Sequence, residues 1–209
     1  MLRLIISSWT AVVRGAVISG IENPQSAILT KSCPTSYGIC LNEQYTATKN
    51  FYKDEFVNPY TRQRMAAGQM TWLVQKGDLI LANQNRVGER LFTHTFWEGD
   101  DGTKLTVPVY TYERDDSLPQ RFAPVAKGTW LPAKSRARLI SAELTTVLTL
   151  NLQQGAVPHE HLQAWSDESG RKYWDMRACC RLEYTFDDVL EASLVVVGNT
   201  VAFAKLPER

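Results

Sequence analysis

The histidines are the first candidates for chemistry, because the chain has only three and two of them lie almost side by side. His159, Glu160 and His161 form the one histidine cluster. On a strand, both histidines would point to the same face and could bind a metal ion together. No third ligand is evident nearby, so we favour a loop or capping role for this segment over a zinc site. A metal-dependent enzyme carried by these three residues stays as an alternative hypothesis.

Other catalytic signatures are absent from the sequence. The chain has no Gly-x-Ser-x-Gly elbow, no HExxH, no phosphate-binding glycine loop and no GxGxxG. Its acidic pairs lie in predicted turns, where aspartate is favoured by its local hydrogen bonds: Asp100-Asp101, Asp115-Asp116 and Asp187-Asp188. We therefore predict a protein that is not an enzyme, with no catalytic residues, no cofactor-binding residues and no metal ligands.

Charge and hydropathy limit the classes of partner. The formal net charge is +1, so no overall field attracts nucleic acid or an anionic membrane. A local basic patch at Lys127, Lys134, Arg136 and Arg138 has no interleaved aromatic residues, and we interpret it as a solvated face. We predict no nucleic-acid partner and no membrane partner.

The start of the chain does not have the pattern of a signal peptide. Ser7, Ser8 and Arg14 interrupt its apolar residues, so no continuous apolar core of signal-peptide length remains. The four cysteines, Cys33, Cys40, Cys179 and Cys180, show no CxxC spacing, and we interpret them as reduced thiols. We predict a cytoplasmic protein.

The segment Trp9–Gly20 has the pattern of a helix that packs closely against a neighbour. Ala11, Gly15 and Ser19 recur every fourth residue and give one helical face almost no side chain. Glycine inside a helix costs about 1 kcal/mol relative to alanine, which suggests a packing reason for Gly15. Another chain or domain is therefore a candidate partner for this helix.

The remainder of the chain has the pattern of about eight β-strands separated by regular turns. Alternation is clearest in 86–97 and 172–186, where Trp174, Met176 and Cys180 belong to the predicted core face. Asp100-Asp101-Gly102 is a hairpin signal, and residues 43–68 are polar enough to predict a long surface loop. The fold class we predict is mainly β: an antiparallel β-sandwich preceded by one N-terminal α-helix.

Apolar residues at strand ends are the best candidates for binding. Phe96 and Trp97 precede the predicted hairpin, and Leu41 precedes the predicted loop. A sandwich that exposes such residues beside loops suits the capture of an extended apolar peptide. Capping of the core by the same residues is the alternative.

The order of segments resembles part of the seventy-kilodalton heat-shock chaperone family. The segment AVVRGAVISG resembles the last helix of that family's ATPase domain, and Ser36-Tyr37-Gly38-Ile39 resembles the first strand of its peptide-binding domain. Residues 70–78, 105–114 and 173–197 resemble the second strand, the fourth strand and the final long hairpin. The closest likeness is to the divergent members that are frequent in fungal genomes.

The resemblance implies a peptide cleft in this chain. Its two sides would lie in the loop between the first two strands and in the hairpin between the third and fourth. The matching residues, our candidate peptide-binding site, are Ile39, Leu41, Phe96, Trp97, Leu105 and Val107. The expected partners are extended apolar peptides or unfolded proteins.

The same resemblance implies that the ATPase machinery is missing. The phosphate-binding loops and catalytic residues of the family have no counterpart here, so no cofactor is expected in this chain, and ATP would be bound by the absent domain. We expect residues 1–26 to be a remnant helix of that domain and residues 27–209 to be the peptide-binding β-sandwich. The expected function is that of a truncated chaperone fragment. The alternative is a non-catalytic structural remnant or a module that pairs through the Trp9–Gly20 helix.

Overall fold

The computed structural model describes residues 30–99, 105–114, 117–121, 144–152, 157 and 162–206. They form twelve strands and one turn of 3₁₀ helix at Tyr52–Asp54. The strands are β1 (Thr30–Ser32), β2 (Ser36–Gln44), β3 (Glu55–Val57), β4 (Arg64–Val74), β5 (Leu79–Leu81), β6 (Arg86–Trp97), β7 (Thr106–Tyr112), β8 (Thr145–Asn151), β9 (Gln163–Ser166), β10 (Lys172–Tyr184), β11 (Leu190–Val196) and β12 (Asn199–Leu206). The prediction of a mainly β chain is confirmed.

The strands form two large antiparallel sheets and one small ribbon. The first sheet has the order β3-β4-β2-β7-β8, and the second has the order β12-β11-β10-β6 with β9 beside β10. Strands β1 and β5 pair with each other. Strands β6 and β7 are neighbours in sequence, but they lie in different sheets. The chain between them therefore connects the two sheets.

This connectivity corrects the predicted hairpin at Asp100-Asp101-Gly102. Strand β6 pairs along its whole length with β10, whereas β7 pairs with β2 and β8. A turn signal marks a change of chain direction but does not specify the strand with which each arm pairs. The long alternating strand β10 is instead the partner of β6 over all twelve of its residues.

Side chains from both sheets meet in one core. From Met176 to Tyr184 the even-numbered residues of β10 are buried as predicted, with Met176, Cys180 and Leu182 almost inaccessible, whereas Trp174 is half-buried against the core. They pack with Ile39 of β2 and Val109 of β7 in one apolar cluster. Because side chains alternate along a strand, the odd-numbered residues of β10 face outward, where Arg181 and Glu183 form an ion pair.

Residues 43–68 are more ordered than the predicted loop. Strand β2 continues to Gln44, β4 already begins at Arg64, and β3 pairs with the outer edge of β4. The polar composition of this segment comes from strands with an exposed face. Glu55 and Arg64 form an ion pair that joins β3 to β4. Charged residues in this segment therefore belong to strands as well as to loops.

Several sequence features lie outside the described residues: the helix Trp9–Gly20 with the domain boundary at residue 26, the basic patch 127–138, and the cluster His159–His161. Within the described ranges there is no α-helix. That part of the chain therefore contains no helix that is long and apolar enough to cross a bilayer. All four cysteines are free thiols.

Candidate functional site

The candidate site is a groove that opens where β2 and β7 separate. The two strands pair only from Ser36 opposite Tyr112 to Ile39 opposite Val109. The next residue of β7 toward the groove is Pro108, which has no amide hydrogen to donate to a neighbouring strand. From Cys40 onward, the edge of β2 therefore has no strand partner among the described residues.

Strand β6 forms the opposite wall of this groove. It is the last strand of the second sheet, and only β10 pairs with it in the described part of the chain. We call the space between residues 40–44 of β2 and residues 90–95 of β6 the β2–β6 groove. It lies between two strand edges, which is unusual because proteins generally cover such edges.

The β2–β6 groove contains two connected cavities of about 640 and 370 Å³. Both are lined by the same central side chains of β2, β4 and β6: Leu41, Asn42, Met65, Phe92, Thr93 and Thr95. The larger cavity extends toward Trp165 and Tyr173. The smaller one extends toward Leu105 and Val107. Leu41, Met65 and Phe92 form the apolar centre of the groove, and the carboxamide of Asn42 and the hydroxyl groups of Thr93 and Thr95 lie beside it.

Three of the six predicted site residues line this groove. Leu41 borders both cavities, and Leu105 and Val107 border the smaller one. Leu41 and Leu105 are half-buried, so both are accessible to a ligand. Val107 is almost wholly covered, at 2% exposure, and contributes to the base of the cavity.

The other three predicted residues are not at the groove surface. Ile39 is completely buried in the core, where it lies opposite Val109. Phe96 is buried in the same core cluster. Trp97 lines neither cavity. Ile39 and Phe96 close the core and do not line the groove, because apolar character at a strand end does not distinguish a residue that faces a groove from one that closes the core.

Trp97 belongs to an aromatic cluster that holds the loop after β3. Its ring centroid lies 4.7 Å from that of Tyr60 and 6.0 Å from that of Tyr173, and Tyr60 and Tyr173 are 5.9 Å apart. The Arg171 guanidinium lies over the Trp97 ring at 4.0 Å, a favourable cation–π distance. The cluster fixes one end of the β2–β6 groove by attaching residues 58–62 to the second sheet.

Glu43 is the most strongly bound charge in the groove wall. Its two carboxylate oxygens accept hydrogen bonds from Lys49 Nζ and Asn50 Nδ2, each at 2.7 Å. Burial alone would raise the pKa of Glu43, but these donors outweigh it and hold that pKa below its ordinary value. The guanidinium of Arg90 on β6 lies 3.9 Å from the same carboxylate, so one weak ion pair spans the groove.

The reactive groups near the groove are held in inactive states. Burial raises the pKa of the Cys40 thiol to about 11, which leaves the thiol protonated and weakly nucleophilic at neutral pH. Asp175 accepts a hydrogen bond from Thr95 Oγ1 at 2.6 Å. Among the described residues, no three histidine, cysteine or acidic side chains are placed to hold a metal ion.

The sequence prediction missed the central residues Met65, Phe92, Thr93 and Thr95. One signal was present in the sequence, since Pro108 has no amide hydrogen with which to bond to a neighbouring strand. What the sequence did not show is that β6 is the strand across the groove. Only the pairing of β6 with β10 brings Phe92 and Thr93 opposite Leu41.

Comparison with known proteins gives one family match. The model of a family described as a domain of unknown function (DUF8568) matches residues 32–100. This range includes β2 to β6, and therefore both principal walls of the β2–β6 groove. No curated protein matches the chain.

Proposed function

We propose that the protein is a peptide-binding β-sandwich of chaperone-like type, which takes extended segments of polypeptide into the β2–β6 groove. The observation that carries the proposal is the groove itself, where two strand edges face each other across an apolar centre. A polypeptide in the extended conformation has a shape that fits such a groove. It also carries backbone donors and acceptors along its length, which free strand edges can bind.

The segment order seen in the sequence supports this proposal. The segments that resemble the first, second and fourth strands of the chaperone peptide-binding domain are β2, β4 and β7, and they lie side by side as β4-β2-β7. The three predicted residues that reach the groove, Leu41, Leu105 and Val107, come from the resemblance. No step of the proposed function requires ATP or another cofactor in this chain.

The size of the apolar centre sets the expected affinity. Each apolar peptide side chain buried against residues such as Leu41, Met65 and Phe92 contributes about 1.5–3 kcal/mol. Two or three such side chains contribute about 3–9 kcal/mol before the cost of ordering the peptide, so we expect a dissociation constant between about 1 and 100 μM. Both cavities open to solvent over their length, so we expect the bound segment to exchange rapidly.

Fluorescence anisotropy of a labelled extended apolar peptide tests the proposal. The wild-type protein should give saturable binding, and Leu41→Asp should abolish it by placing a charge in the apolar centre. Leu79→Asp is the matched control, because Leu79 is 71% exposed on β5 and lines neither cavity. Binding that survives Leu41→Asp, or no binding by the wild-type protein at peptide concentrations of about 100 μM, would exclude the groove as the site.

A further inference from the structure

One row of backbone hydrogen-bonding groups of β6 faces the groove and has no strand partner in the part of the chain that the structure describes. The β6–β10 register is continuous over all twelve residues of β6, and directly after it the Glu98 amide donates to the Lys172 carbonyl oxygen at 3.0 Å. Backbone groups of successive residues in a strand point to opposite edges. The even-numbered residues of β6 therefore face β10, and Leu91, Thr93 and Thr95 direct their N–H and C=O groups to the free edge.

The same alternation applies to the opposite wall. The Tyr45 amide donates to the Arg64 carbonyl oxygen of β4 at 3.0 Å, so the odd-numbered residues at this end of β2 face β4. Asn42 and Gln44 consequently direct their backbone groups away from β4, toward the groove. Two rows of backbone groups that have no strand partner among the described residues thus face the same space from different sheets.

The side chains on the two faces of β6 differ in burial where they border the β2–β6 groove. Phe92 packs against the core, and Phe96 on the same face is buried. Leu91 on the opposite face is 76% exposed, and Thr93 is also exposed. A strand added at this edge would place alternate side chains inward, near Phe92 and Met65, and the intervening ones outward toward solvent.

We infer that the bound segment adds to β6 as a further β-strand, and that the protein selects segments in which apolar and polar residues alternate. This inference rests on the proposed function and specifies its substrate class. A second copy of the protein fits the slot less well, because a strand already in a sheet has one edge paired. A single extended segment has both edges free, so it can bond to Leu91, Thr93 and Thr95 of β6 along one edge and present its other edge to Asn42 of β2.

Two peptides of identical composition test the alternation. Each has about eight residues, the length of an ordinary strand, half valine and half threonine. One peptide alternates the two residue types, and the other groups them in two blocks. We expect the alternating peptide to bind about tenfold more tightly, because only it can turn every valine inward. Equal affinity for the two would overturn the inference and leave the proposed function standing, whereas no binding of either would contradict both.

Substitution at the free edge tests strand addition separately. Thr93→Pro removes an amide that faces the groove, so pairing with β10 is retained and the fold should persist; a circular dichroism spectrum and thermal transition verify this. Thr93→Ala is the matched control, since it changes the side chain and keeps the amide. We expect Thr93→Pro to weaken binding of the alternating peptide about tenfold more than Thr93→Ala does, because only the proline variant loses the amide. Equal effects of the two variants would overturn strand addition.

N-methylation of the peptide backbone tests strand addition without altering the protein. It therefore remains informative if Thr93→Pro does not fold. Single N-methylation at internal positions of the alternating peptide should weaken binding by about tenfold at the positions that pair with β6. Methylation of the terminal residues should have little effect. Unchanged affinity for all methylated peptides, or a dimer of the free protein in which the β6 amides are protected from exchange, would overturn the inference.

Discussion

Gly88 allows β6 to pass directly against the backbone of β4. A β-carbon at this position would lie 2.1 Å from the carbonyl oxygen of Leu73, much closer than atoms can approach. Gly88→Ala must therefore push β6 away from β4, and we expect it to lower the free energy of unfolding by about 1–3 kcal/mol. Urea denaturation measures this. Glu89→Ala, at the exposed neighbouring position, should change it by only about 0.5 kcal/mol, and equal effects would show that β6 does not make this contact.

Asp188 stabilises the turn between β10 and β11 in a pH-dependent manner. Its carboxylate lies 2.8 Å from Lys31 Nζ and accepts a hydrogen bond from Tyr184 at 2.7 Å. Lys31 first, and then Tyr184, lower the pKa of Asp188 below its ordinary value. A lowered carboxyl pKa means that the folded state binds the proton less tightly than the unfolded state does. The stabilisation is therefore complete above the unfolded value of about 3.9 and is lost as pH falls through the folded value.

Asp188→Asn tests this contribution without straining the turn. Asp188 has a φ of 62°, a conformation that asparagine also tolerates. We expect the variant to be less stable than the wild type near pH 7, and the difference in urea midpoint to shrink below about pH 4. Asp187→Asn is the control, since no ion pair joins Asp187 to another described residue. A difference that stays constant from pH 7 to about pH 3 would contradict the assignment.

Single residues were predicted well where the pattern alone decides burial. The alternation of β10 identified Met176 and Cys180 as core residues, and both are buried. Ile39 and Phe96 were assigned to the site and lie in the core, because an apolar residue has the same sequence signal in either place. Ile39 lies within the β2–β7 pairing, whereas Leu41 lies beyond its end. The position of that end depends on how the strands of the sheet pair, which the local sequence does not show.

At the scale of elements, the aromatic cluster connects the loop after β3 to the second sheet. Tyr60 provides that contact through the rings of Trp97 and Tyr173. We expect Tyr60→Ala to release residues 58–62, which border the groove, and to weaken peptide binding by about fivefold. Tyr52→Ala is the control, because Tyr52 is 65% exposed and lines neither cavity. Anisotropy titrations of both variants measure the dissociation constant of the peptide. Equal weakening by the two substitutions would show that the aromatic cluster does not contribute to peptide binding.

The strands themselves were largely predictable, but their partners were not. Alternating residues placed β6 and β10 close to their observed bounds, since period-two patterning follows directly from strand geometry. The turn at Asp100-Asp101-Gly102 suggested that β6 pairs with β7. Pairing between β6 and β10 joins residues far apart in sequence, and local patterns carry no information about such contacts. The groove depends on this long-range pairing.

At the scale of the whole molecule, the segment matched by the family model is not a complete folding unit. Residues 32–100 include β6 but lack β10, with which every residue of β6 pairs. They also lack Leu182 and Leu194, which fill the core from β10 and β11. We expect a fragment of residues 32–100 to show no cooperative unfolding transition, whereas residues 30–206 should unfold in one step. A cooperative transition in the shorter fragment would contradict a core shared by both sheets.

The central claim is that an extended peptide adds to the free edge of β6, and amide hydrogen exchange measured by NMR tests it most directly. In the free protein, the amides of Leu91, Thr93 and Thr95 should exchange faster than those of Phe92 and His94, which face β10. Saturation with the alternating peptide should slow exchange at the three odd-numbered positions by about tenfold or more. Unchanged exchange at these positions, with the peptide shown to be bound, would contradict the account.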